Sequence, residues 1–151
     1  MSDPWRIPLL LPALFAAGAA LAQSPLTEAQ TRYMGAYVFD RQLQVFRDYC
    51  AGDPQGAQAL DAGMARFQQA NPDYAAALQA RPTEAEFLAG VATFDAQFDQ
   101  VAAQMRQQLA QQPAGPQCAA LGQQLGGISF QALLEEAAQR AAELQAPPAT
   151  P

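Results

Sequence analysis

Phe87, Val91, Phe94, Phe98, Val101 and Met105 recur at spacings of four and three. On a helix that rhythm lines one face, whereas on a strand it scatters over two, so this stretch is committed to helix. The pattern is the seam of a helical bundle. It predicts a helix that opens at Pro82-Thr83, with Thr83 and Glu86 as a capping box. The helix runs to about Gln112, where Pro113-Ala114-Gly115-Pro116 stops it. At 1.5 Å per residue such a helix is about 40 Å long, enough to form the spine of a small domain.

The rest of the chain reads the same way. No run of alternating β-branched residues suggests a strand, and proline and glycine fall between the periodic stretches. A first helix is expected from Glu28 to about Cys50, started by the Thr27 and Gln30 capping box. One arc of it collects Met34, Val38, Phe39, Leu43, Val45, Phe46, Tyr49 and Cys50, with Asp40, Gln44, Arg47 and Asp48 opposite. Gln42 falls inside the apolar arc and, if buried, calls for a partner on a facing helix.

A second helix starts at Asp53-Pro54 and buries Leu60, Met64 and Phe67. Asn71-Pro72 ends it, and residues 72–80 are either a separate helix or the far side of a kink. A short segment places Cys118, Leu121 and Leu125 on one face before Gly126-Gly127. Ser129 caps a last helix, Phe130 to about Gln145, with Ile128 and Leu133 as a hydrophobic staple. Leu133, Leu134, Ala137, Ala141 and Leu144 form its inner face, and the proline-rich tail 146–151 is expected to be disordered. The fold class is therefore all-α: a small bundle of about five helices with one long central helix, spanning residues 23–145.

Residues 1–22 read as a secretory signal peptide. A start carrying Arg6 leads into an apolar stretch from Ile7 to Leu21, which ends in the small-residue site Ala20-Leu21-Ala22 before Gln23. The stretch is shorter than the ~20 residues of a membrane span and contains Pro8 and Pro12. The protein is thus expected in the periplasm or the medium, with no stable membrane insertion after cleavage. In an exported chain two cysteines usually pair, and each of these lies on the apolar face of its own helix. A Cys50–Cys118 disulfide is expected to tie the first helix to the carboxy-terminal part.

The chain has no histidine. That removes Ser-His and Cys-His nucleophile pairs, histidine metal sites and c-type haem attachment. A net charge of −6, with the acids dispersed, argues against nucleic acid and anionic membrane surfaces as partners. No Cys-x-x-Cys motif suggests a redox-active thiol. Asp95 and Asp99 share a helix face, but no Asp-rich loop completes a cation site, so the pair reads as a solvated face. Glu84, Glu86, Glu135 and Glu136 suit helix starts, where negative charge is favourable. No cofactor, metal or catalytic residue is expected.

Tyr33 and Tyr37 lie one turn apart on what the pattern makes the polar side of the first helix. They either cover a neighbouring segment, such as the amino-terminal strand or the final helix, or form a contact for a partner, and they are the best contact candidates in the chain. The expected function is that of an exported, non-enzymatic, protein-binding module. Two others stay open: a bundle holding a small apolar ligand along the Phe87 to Met105 seam, and, more remotely, a hydrolase working with carboxylates alone.

Overall fold

The computed structural model describes residues 25–145, with side chains described as far as residue 139. The expected signal peptide at 1–22, the tail at 146–151 and the side chains of Ala141 and Leu144 fall outside that range. Among the described residues the chain forms six helices and no strand. They are α1 (Glu28–Cys50), α2 (Pro54–Ala70), α3 (Pro72–Gln79), α4 (Ala85–Leu109), α5 (Ala114–Leu125) and α6 (Phe130–Gln145). Residues 72–79 are thus a helix of their own.

Three of the four caps expected from the sequence form. Thr27 Oγ1 accepts the Gln30 amide at 3.2 Å, and Gln30 Oε1 accepts the Thr27 amide at 3.0 Å. Asp53 Oδ1 accepts the Gly56 amide at 2.6 Å, with Pro54 in the first turn. Ser129 Oγ accepts the Ala132 amide at 3.3 Å, and Ile128 and Leu133 both pack on the adjoining core. The box expected at Thr83 and Glu86 does not form. Glu84 takes the cap position of α4 and makes no side-chain cap bond. The helix begins one residue too late for that pairing, so Glu86 sits in the first turn, where its charge still meets the positive helix end.

α4 is the longest helix, but α1 holds the centre. Helices α2, α3, α4, α5 and α6 all pack on it. α1 therefore carries two apolar faces rather than one. Ala36, Phe39, Leu43 and Cys50 face α2, α3, α5 and α6. There Phe39, Phe67, Tyr74 and Phe130 form a chain of tilted and edge-on rings with centroids 5.0–5.8 Å apart. Tyr33, Met34, Val38 and Val45 face the α4 seam instead. Gln42 is buried but makes no hydrogen bond to a facing helix, and its amide is not among the buried atoms shut off from solvent.

The tightest packing joins α2 to α5, backbone against backbone. A β-carbon on Gly63 would strike the Gly122 carbonyl oxygen, and one on Gly122 would strike the Ala59 carbonyl oxygen. Two turns before Gly63, a β-carbon on Gly56 would lie 2.9 Å from Cys118 Cβ. This close approach carries Cys118 to the end of α1, where it forms a disulfide with Cys50 across a Cα–Cα distance of 5.9 Å. Both cysteines are buried.

Asn71 joins three elements. Its Nδ2 donates to the Phe67 carbonyl at 2.8 Å and the Ile128 carbonyl at 3.0 Å, while Oδ1 accepts the Phe130 amide at 2.8 Å. One side chain thus closes α2 and caps α6. Asn71→Ala removes all three bonds and strands the buried Phe130 amide. The expected loss is about 2 kcal/mol, seen as a lower urea midpoint at unchanged slope.

Candidate functional site

The residues singled out in the sequence meet along the α1–α4 seam. Tyr37 pairs with Asp95, Arg41 with Asp99, and Asp48 with Arg106, each pair 58 residues apart. A constant offset means that the two helices run parallel and in register. The seam is apolar inside, where Phe87, Val91, Phe94, Phe98, Ala102 and Met105 pack on α1. A polar ladder runs along its edge.

Tyr33 and Tyr37 stack with ring centroids 5.5 Å apart. Tyr33 meets the edge of Phe87 at 5.9 Å and Tyr37 that of Phe94 at 6.1 Å. Tyr33 is 4% exposed and Tyr37 half-buried. The pair therefore does not stand on a free polar face: it covers α4, not the final helix. The helical pattern assigns α1 a single apolar arc, but a helix covered on two sides has little polar side to spare.

The Tyr37 hydroxyl donates to the Asp95 carboxylate, 2.8 Å from Oδ1 and 3.0 Å from Oδ2. Arg41 Nη2 donates to Asp99 Oδ1 at 2.9 Å, and its guanidinium lies 4.9 Å from the Phe98 ring centre. Arg41 Nε is buried without a hydrogen-bond partner, 3.5 Å from Asp95 Oδ1. Asp95 and Asp99 are thus partnered across the seam rather than simply solvated. Arg41, which the sequence pattern does not single out, is the hub. Its signal was faint: an arginine one turn beyond Tyr37, on the helix face that carries that tyrosine.

Burial pushes the Tyr37 hydroxyl up to about 12, helped by the hydrogen bond and the charge of Asp95. Burial also raises Tyr33, Tyr49 and Tyr74. A phenol whose folded value is raised loses its proton first in the unfolded chain. Its stabilisation is therefore complete below pH 10 and fades as pH climbs from 10 through about 12. Tyr37→Phe is expected to cost about 1 kcal/mol below that window and to flatten the alkaline fall inside it. Urea melts at stepped pH measure both effects.

Chemically, the ladder holds two carboxylates, Asp95 and Asp99, that share the Arg41 guanidinium, with the Tyr37 hydroxyl also donating to Asp95. Among the described residues, no three histidine, cysteine, aspartate or glutamate side chains gather as a metal site. No helix there is long and apolar enough to cross a membrane. No protein-family model, curated protein or solved structure matches this chain.

Proposed function

We propose that this chain is an exported, non-enzymatic helical protein that binds another protein in the periplasm or the medium. The observation that carries the export part of the reading is the buried Cys50–Cys118 bridge. Such a bridge suits an oxidising compartment, and residues 1–22 have the order of parts of an export signal. The side chains with chemistry to offer support binding over catalysis. There is no histidine, and the carboxylates of the seam are matched within the fold. The dispersed negative charge favours a protein partner over nucleic acid.

The test is crosslinking in intact source cells, capture of the tagged protein, and rebinding of what is captured in purified form. The reading expects one protein in near-stoichiometric amount that rebinds on its own. Clean recovery of this chain alone would count against it.

A further inference from the structure

The described interior is two apolar clusters that share no buried residue, and Phe46 packs against both. The first cluster, between α1, α2, α3, α5 and α6, is held in three ways beyond apolar contact. The disulfide crosses it, the α2–α5 backbones touch, and Asn71 bridges three elements. The second cluster joins α4 to α1 and has a different kind of tie. Its polar links are Tyr37 to Asp95, Arg41 to Asp95 and Asp99, and Asp48 to Arg106; just beyond α4, in the link 110–113, the Tyr49 hydroxyl donates to the Gln112 carbonyl at 2.9 Å. Tyr37, Arg41, Tyr49 and Asp95 are part-buried and the other partners are exposed. None of these ties is covalent or a backbone-on-backbone contact, and the exposed ion pairs contribute little and are screened.

The ends of α4 point the same way. Its first turn has no side-chain cap, and its last turn passes into the short link 110–113. The link 80–84 leads into it. α5, on the far side of that second link, is pinned by Cys118. We infer that α4 is a strap hinged at 80–84 and 110–113, which opens as a unit while the disulfide-locked body of α1, α2 and α5 stays folded. Opening uncovers the Tyr33, Met34, Val38 and Val45 face of α1 and the seam of α4 together. The inference concerns the energetics of the fold and does not rest on the protein-binding reading.

Proteins open in contiguous units whose free energies differ, and hydrogen exchange reads them separately. The test is native-state amide exchange followed by mass spectrometry on the full chain with its disulfide intact. Amides of residues 87–105 are expected to exchange about 100-fold faster than those of residues 56–67 and 118–125, as sub-global opening requires. Phe94→Ala is expected to speed α4 exchange by a further ~100-fold, the lower end for truncating a buried phenylalanine, and to leave the α2–α5 amides unchanged. Val91→Ala gives the same pattern at about tenfold, and serves if Phe94→Ala does not fold. Equal protection of α4 and the α2–α5 crossing in the unaltered protein would overturn the inference. So would equal acceleration of both by either variant.

Discussion

Gly122→Ala is expected to destabilise the protein by about 3 kcal/mol, although alanine is the better helix former by up to ~1 kcal/mol. The reason is local. At Gly122 the added carbon meets the Ala59 carbonyl oxygen, and that oxygen belongs to a helix backbone. A flexible side chain would turn aside, but here α2 and α5 must move apart. Separation loosens the packing of Leu60, Leu121 and Leu125 between them and draws Cys118 away from the end of α1. Gly63→Ala meets the same crossing from the other side and should cost a similar amount. The double variant should cost less than the two combined, because both open one contact. Gly127→Ala is the control. Its new carbon would have the Gln124 carbonyl oxygen nearest, at 3.6 Å, and its stability should shift by less than ~0.5 kcal/mol. Urea unfolding of the four variants decides the matter.

Removing the disulfide has an effect of similar or larger size by another route. Cys50 and Cys118 are 68 residues apart, and closing a loop of that length stabilises by about 4 kcal/mol on the chain-entropy model. Replacing both cysteines with alanine is expected to lower the midpoint of thermal unfolding by about 15 °C while the helical signal at room temperature persists. The helices survive because their caps and the aromatic chain through Phe39, Phe67, Tyr74 and Phe130 do not depend on the bridge. Both sulfurs are buried, so in the native protein a reductant must wait for an opening. The rate of reduction should therefore follow the unfolding rate as urea is added. A double-alanine variant that melts with the parent would show that the bridge does not carry this load.

Local signals are readable from the sequence at three of the four expected caps, the exception being Thr83 with Glu86, where the helix starts one residue later. Thr27 with Gln30, Asp53 with Pro54, and Ser129 with its staple each satisfy amides within a turn, and each forms as spaced. The cysteine pairing was also legible, from compartment and helix face together. What the pattern missed is relational. The sequence pattern gives α1 one apolar arc, but α1 is central and has two, which is why Tyr33 is buried and Tyr37 half-buried against α4. Asn71 was visible only as a break before proline, since its partners at Ile128 and Phe130 lie far along the chain. Gly63 and Gly122 carry no periodic signal because their role is to have no side chain. The 58-residue register that sets Tyr37 on Asp95 and Arg41 on Asp99 follows from how α2 and α3 return the chain, which no local pattern states.

The most direct test of the proposed export and of the Cys50–Cys118 bridge is the mass of the chain taken from its source cells, fractionated without reductant. A chain beginning at Gln23, found outside the cytoplasm, is predicted. Its mass should be lowered by the two thiol hydrogens, and digestion should yield a single peptide linking Cys50 to Cys118. An unprocessed chain in the cytoplasm with both thiols free would contradict the account.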